Sequence, residues 1–511
     1  MPTQTQPSSA AVLERRLSPF DAAAIIVANV IGGGILFRSP AVAAAIPDAV
    51  WFLLAWVAGG VLAFMGAMAY AELAALRPKA GGEYVYLKEA YGPLAGFLTG
   101  WTSFVAGFSG AIAASAVFFI VTLDRFVPGI ANGDALLAIP VPLTSLAITF
   151  SIHTLAASGL IVLFALIHIL GVGPGRAASN ALTTLKIVAF VVFILFGLAA
   201  GTGSPSNITQ AVGPVTLTGW MFAMIPVMFT YSGWNAASYM AEEIRDPGRN
   251  VPRALIFGTA GVIVIYLLLN VLYLYVVPIG ELAATQGSVL DVVADRLLGQ
   301  RAGNIMAGVA LVSLAAGINA WTFAGPRVYY AMARDGVFFQ SAARVHPRFK
   351  TPAASVVALV SLAAGINAWT FAGPRVYFAM ARDGVFFKAA ARVHPKYKTP
   401  AASIIAQAAF SILLVLTGSL DSIANYVGFA ITLFAGTAVA AVFVLRAKEP
   451  NAPRPYRAWG YPITPALFVF VSAAIVLNAF YTDPKVTATG AAIILAGIPL
   501  YLYFKTTQRP S

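Results

Sequence analysis

In Asn29-Val30-Ile31-Gly32-Gly33-Gly34-Ile35, three consecutive glycines fall inside an apolar run long enough to cross a bilayer. Each interior glycine weakens a helix by roughly 1 kcal/mol relative to alanine, so the triplet predicts unwound backbone with free N–H groups at membrane depth. Lipid offers those groups no partner. Non-helical backbone persists there only where it lines a cavity or is buried in protein.

The surrounding chain has the composition this requires. Its 511 residues are 59% hydrophobic and 10% charged, with a mean hydropathy of +0.82, beyond what a soluble globular domain carries. The net charge of +13 raises nucleic acid as a partner, but the Lys and Arg residues sit in short clusters between apolar runs. They read as topogenic charges. No cleavage signal follows Arg15 and Arg16, so the first apolar run is expected to stay. With no cysteine, a disulfide-linked partner and thiolate chemistry are excluded.

Twelve apolar stretches approach spanning length, at 21–46, 49–75, 94–123, 155–172, 178–200, 219–242, 253–278, 302–333, 400–418, 422–446, 463–481 and 486–504. The interval 126–155 is too mixed in Pro, Gly and Thr to span. Placing the N-terminus inside puts Arg77, Lys79, Lys88, Arg176, Arg245, Arg249, Arg253, Arg334, Arg446, Arg454 and Arg457 on one side of the membrane. The positive-inside rule then predicts that both termini are cytoplasmic. The expected location is the cell (inner) membrane of a prokaryote.

One repeat disturbs this count. Val309–Ser355 recurs as Val357–Ser403, with differences only at Tyr330/Phe378, Gln340/Lys388, Ser341/Ala389, Arg348/Lys396 and Phe349/Tyr397. It reads equally as one recent duplication or as an artefact of the sequence. An added single span would move every later basic loop to the outside, so one copy is expected to fill the eighth span and the other to stay out of the membrane count.

A second internal signal is Phe229-Thr230-Tyr231-Ser232-Gly233-Trp234-Asn235 in the sixth span. Glycines in one membrane helix usually serve close packing. Interrupted first and sixth spans, five apart, instead predict an inverted-repeat transporter with its substrate site near the midplane.

Several motifs together resemble the amino acid–polyamine–organocation superfamily, nearest the L-type amino acid transporters. Val30–Ile35 resembles that family's first-helix glycine signature, and Ala71-Glu72-Leu73 with Pro78–Tyr84 its second-helix and loop signature. Phe229–Asn235 followed by Glu242–Pro252 is similar to the sixth helix and its exit. Arg454-Pro455-Tyr456-Arg457 with Trp459-Gly460-Tyr461-Pro462 resembles the loop before helix eleven. The resemblance implies an all-α polytopic membrane protein of the LeuT-type five-plus-five inverted repeat, with twelve transmembrane helices, helices 1 and 6 broken, and one duplicated helix-8 segment. Its parts would be a cytoplasmic tail (1–20), a first repeat (21–200), a second repeat (219–446) containing 309–355 and 357–403, helices eleven and twelve (463–504) and a cytoplasmic tail (505–511).

The resemblance further implies that backbone N–H groups of Gly33 and Gly34 hold a substrate carboxylate, and carbonyls of Val30, Phe229, Thr230 and Ser232 its ammonium. Gly32, Gly33 and Gly34, with Gly233, Trp234 and Asn235, complete the expected substrate-binding stretch. Half-helix ends supply the physics, since N-termini favour anions and free carbonyls favour cations. Many relatives carry serine where this chain has Gly33, so carboxylate binding is expected to rest on backbone alone. Lys186 would occupy the place of sodium in related sodium-driven carriers, which predicts sodium-independent transport; snorkelling to the interface is the alternative. Asn319 or its copy Asn367 would face the substrate side chain or serve helix packing.

No acidic residue is expected deep in the first, third, sixth or tenth spans, which favours neutral L-amino acids. His153, His168, His346 and His394 lack metal-ligand spacing, and no cofactor is expected. The rival transporter reading is a proton-coupled cationic amino acid or polyamine permease. A rival of another class is a non-transporting sensor on the same scaffold. A membrane enzyme would need a polar cluster at depth, which the sequence lacks. Exchange and net flux are both compatible with these residues.

Overall fold

The computed structural model describes residues 15, 17–79, 81–103, 107, 109–140, 147–170, 176–199, 202–334, 411–417 and 420–507. Asn367 and the whole second copy of the repeat lie outside them. The chain is mostly helical and carries several apolar helices. Among the described residues, Pro19–Phe37, Ala49–Leu76, Pro247–Val276, Val427–Lys448 and Ile463–Thr482 are long and apolar enough to cross a membrane.

In chain order the elements are α1 (Pro19–Val30), α2 (Gly33–Phe37), α3 (Ser39–Ala45), α4 (Ala49–Leu76), α5 (Glu83–Tyr91), α6 (Pro93–Thr102), α7 (Ser109–Leu123), α8 (Ile152–Leu170), α9 (Arg176–Ala199), α10 (Leu217–Tyr231), α11 (Ala236–Tyr239), α12 (Pro247–Val276), α13 (Ile279–Ala284), α14 (Val289–Arg334), α15 (Leu420–Lys448), α16 (Ile463–Thr482), α17 (Pro484–Leu495) and α18 (Gly497–Thr507). Two strands, β1 (Leu137–Pro140) and β2 (Ala147–Phe150), pair antiparallel between α7 and α8.

That ribbon corrects the all-α expectation. Ala-Ile-Thr-Phe and Leu-Ala-Ile-Pro favour extended backbone, and Pro140 ends the ladder where its missing N–H would otherwise be needed. The third helical path also begins at Glu83 rather than near 94. Gly92, at φ 102°, ends α5, and Pro93 starts α6 directly after it. The last apolar stretch is two helices, since Pro499 has no N–H for the carbonyl a turn earlier.

Helix starts follow local chemistry. Ser18 and Asp21 form a reciprocal capping box on α1, and the Asp48 carboxylate accepts from the N–H groups of Val50 and Trp51 at the start of α4. Lipid removes most of the hydrophobic drive for helix association, so contacts depend on close packing. Helix α4 packs along α12. Its Gly66 admits the Trp234 ring, which a Cβ there would meet at 2.7 Å.

The first and sixth paths run antiparallel and are tied at both ends. Leu17, before α1, pairs with Ile244, after α11, through Leu17 N–H to the Glu243 carbonyl at 3.0 Å and Arg245 N–H to the Leu17 carbonyl at 2.9 Å. At the other end Ala49 N–H donates to the Gln210 carbonyl at 2.9 Å, and Val212 N–H to the Pro47 carbonyl at 2.9 Å.

Near that second end, Arg125 grips Asp295 bidentately at 2.8 and 2.5 Å and donates from Nε to Asn304. Burial pushes the neighbouring Asp291 carboxyl up to about 6. A folded-state pKa above the unfolded value contributes stability at low pH that is lost as pH rises through about 6. Melting of detergent-solubilised protein is therefore expected to be lower at neutral pH than below pH 6, and Asp291→Asn to reduce that difference. An unchanged difference in the variant contradicts the assignment.

Candidate functional site

Helix α1 stops at Val30, and α2 starts at Gly33. Between them Ile31 (φ −74°, ψ 91°) and Gly32 (φ −141°, ψ −149°) leave helical geometry. Gly33 and Gly34 occupy the first turn of the new helix, where N–H groups lack an intrahelical acceptor. The helical path continues past Phe37, because Arg38 N–H donates to the Gly34 carbonyl at 2.8 Å.

The carbonyls released by this break are claimed from three sides. Lys186 Nζ of α9 donates to Ile31 at 2.5 Å and to Ala28 at 3.3 Å, while Ser313 Oγ of α14 donates to Ile31 at 3.3 Å. Lys186 is fully buried, which removes the snorkelling alternative. The Tyr266 hydroxyl of α12 lies 2.5 Å from the Val30 carbonyl and 3.1 Å from that of Thr230. Its single hydrogen is thus shared between the two broken paths.

The second break follows Tyr231. Ser232 takes extended backbone (φ −57°, ψ 144°) and Gly233 sits at φ 102°, a conformation that glycine adopts without strain. Ser232 N–H donates to the Phe229 carbonyl at 3.0 Å. The Thr230 hydroxyl turns back to the Pro226 carbonyl at 2.8 Å.

Two cavities flank these breaks, each of about 40 Å³. The first is lined by Asn29, Val30, Gly32, Gly33, Gly34, Phe118, Phe229 and Thr230, with Ser115 of α7 and Leu314 of α14. The second is lined by Ser232, Gly233, Asn235, Tyr239 and Glu83, closed by Ala430, Ile431 and Phe434 of α15. Each has room for a few waters. Phe118 and Phe229 form the apolar wall of the first.

The expected site residues therefore divide. Val30, Gly32, Gly33, Gly34, Phe229 and Thr230 meet at the first cavity, and Ser232, Gly233 and Asn235 at the second. Trp234 lines neither. It is buried against Tyr70 (ring centroids 4.8 Å apart) and Phe468 (6.4 Å), because the Gly233 turn throws its ring onto α4. Asn319 falls on α14, with its side chain outside the described residues.

Two glycines allow close approach. A Cβ on Gly33 would collide with the Phe118 ring, and one on Gly34 would stand 2.8 Å from Thr230 Cα. The Phe118 ring fills the space that a side chain at position 33 would need. At Gly32 a Cβ would meet nothing within 4 Å.

Sequence reasoning missed two polar groups. Asn29 is buried; its Nδ2 donates to the Ile25 carbonyl at 2.8 Å, while its Oδ1 has no hydrogen-bond partner at the first cavity. Its place directly before the break was the available signal. Glu83 falls in the loop signature Pro78–Tyr84 of the sequence reading. It is buried at the start of α5, because the helix begins eleven residues earlier than its apolar run.

The sequence profile described as amino acid permease matches residues 17–360 and 353–504, and the two matches meet inside the repeated segment. The chain belongs to the amino acid permease family. This permease is 26% identical over 495 residues to the large neutral amino acids transporter small subunit 2 of Mus musculus, covering 96% of this chain and 81% of that protein. It is 24% identical over 499 residues to the serine/threonine exchanger SteT of Bacillus subtilis (strain 168), covering 96% and 97%. It is 27% identical over 497 residues to the human cystine/glutamate transporter, covering 96% and 85%. Family membership and its apolar helices make this permease a multi-pass integral membrane protein.

Proposed function

We propose that this permease exchanges neutral L-amino acids across the membrane by alternating access, without sodium. One observation carries the reading: residues of both broken paths, Val30 and Gly32–Gly34 from one and Phe229 and Thr230 from the other, line the first cavity together. The first-turn N–H groups of Gly33 and Gly34 suit a carboxylate, and the carbonyl of Val30, with those of the second break, suits an ammonium. Relatives named as neutral amino acid transporter and exchanger support the substrate class.

In this reading α1–α3 is the first of twelve spans and α10–α11 the sixth, within repeats at 21–200 and 219–446. The Leu17 end faces the cytoplasm, where the basic loops lie. The antiparallel pairing of the two broken paths and the packing of α4 on α12, spans two and seven, support an inverted repeat. One copy of the repeated segment fills span eight. Lys186 bridges the carbonyls where related carriers place sodium, which supports sodium independence.

Asn29 Oδ1 adds an acceptor for the ammonium. Asn29→Ala should weaken binding of neutral amino acids by about tenfold, the value of one hydrogen bond to a charged group. Unchanged affinity removes Asn29 from the site. The functional test is counterflow of labelled alanine, leucine, arginine and putrescine in sodium-free proteoliposomes. Accumulation of alanine or leucine supports the proposal; accumulation of arginine or putrescine alone, or a requirement for sodium, overturns it.

A further inference from the structure

The second cavity contains a carboxylate that zwitterion binding does not use. Glu83 Oε1 accepts from the Tyr70 hydroxyl of α4 at 2.9 Å and from Asn235 Nδ2; its Oε2 accepts from the Tyr239 hydroxyl of α11 at 2.9 Å. Asn235 Nδ2 also reaches the Tyr239 hydroxyl, at 3.0 Å. All of these partners are neutral. Among the described residues, no Lys, Arg or His side chain lies within ion-pair distance of Glu83. The titratable groups facing it are Tyr70 from α4, Tyr86 from its own helix and Tyr239 from α11. On the packed helices, Glu72 and Glu89 pair with Arg446 and Arg77. Lys88 lies further along α5, and Lys448 of α15 donates to the Ala90 carbonyl.

An ionised carboxylate buried without a cation costs several kcal/mol, and proton uptake relieves that cost. The hydroxyls of Tyr86 of α5 and Ser238 of α11 are also buried close by. They belong to the same two elements that close over Glu83. The hydrogen bonds across this contact join the segment after the second break to helices α4 and α5. Any opening that carries α11 away removes Asn235 and Tyr239 from the carboxylate and admits water.

We propose that Glu83 is a proton-binding site of the transport cycle, protonated when α11 closes over it and ionised when α11 withdraws. On closing, a hydronium ion of the bulk water gives up one O–H bond as the carboxyl O–H forms, leaving water; on opening the carboxyl O–H breaks and its proton returns to water as hydronium. The inference rests on the transport reading above, in which the Leu17 end opens to the cytoplasm. It makes exchange depend on pH through a group outside the amino acid cavity.

The test compares wild-type, Glu83→Gln and Glu83→Asp chains in proteoliposomes, with counterflow of labelled leucine at matched acid and neutral pH. The wild-type flux ratio between the two pH values should differ from one by about fivefold or more, the lower end of site-to-site coupling. In Glu83→Gln the ratio should fall to about one, and Glu83→Asp should restore a pH dependence. The same wild-type ratio in Glu83→Gln overturns the proposal. Difference infrared titration of the wild-type chain provides a readout that needs no transport. A protonated-carboxyl band should titrate and should shift in Glu83→Asp, and its absence overturns the proposal even if Glu83→Gln does not fold. Loss of leucine counterflow at every pH, with that band intact, would instead count against the transport reading.

Discussion

Gly34→Ala is expected to lose neutral amino acid binding by about tenfold to 150-fold, because its methyl meets backbone that cannot rotate away. The added Cβ would stand 2.8 Å from Thr230 Cα and 2.9 Å from Thr230 Oγ1. Relief requires separating α2 from α10, which moves the N–H groups of one break relative to the carbonyls of the other. Overpacking a tight interior costs about 1–3 kcal/mol, and here that cost falls on the geometry of the cavity. Gly32→Ala provides the contrast. A Cβ there meets nothing within 4 Å, so its binding loss should be several times smaller. Scintillation proximity binding of labelled leucine to purified protein measures both. Equal losses in the two variants would sink the argument that the Gly34–Thr230 contact sets the site.

The second large effect belongs to Lys186. Removing its side chain leaves the carbonyls of Ala28 and Ile31 without their buried donor, though Ser313 still reaches Ile31. Each unsatisfied buried carbonyl costs about 1–3 kcal/mol, so Lys186→Ala should lower protein stability and let the first break rearrange. Transport should fall by about two orders of magnitude, the penalty for loss of a buried bridging group. Lys186→Met fills the volume without a donor and separates packing from hydrogen bonding. If Lys186→Met transports leucine as wild type does, Lys186 only fills space.

The two helix breaks were legible in the sequence because their cause is local. Gly32–Gly34 and Ser232-Gly233 weaken a helix whatever surrounds them, and the structure leaves helical geometry at Ile31–Gly32 and Ser232–Gly233. Lys186 was legible for a similar reason, since a lysine inside an apolar run needs an acceptor. The division into two cavities was not, because residues 229–235 are contiguous in sequence. The positive φ of Gly233 sends the Trp234 ring onto Gly66, and that pairing depends on where α4 lies.

Glu83 was hidden by hydropathy. Residues 83–91 are polar enough to resemble a loop, but Tyr84, Tyr86 and Leu87 are all buried and carry the helix back from its apolar portion. Burial of the carboxylate follows from Tyr70, Asn235 and Tyr239, which come from two distant parts of the chain. The β ribbon after α7 reads as mixed sequence, since its strands are four residues each and too short for a clear alternation.

The central claim is that the two breaks together form a zwitterion site. A cryo-electron microscopy structure of this permease in nanodiscs with a bound neutral amino acid tests it most directly. Ligand density is expected between Phe118 and Phe229, with its carboxylate on the N–H groups of Gly33 and Gly34 and its ammonium facing the Val30 carbonyl and Asn29 Oδ1. Ligand density confined to the cavity beside Glu83, with Gly33 and Gly34 untouched, would contradict it.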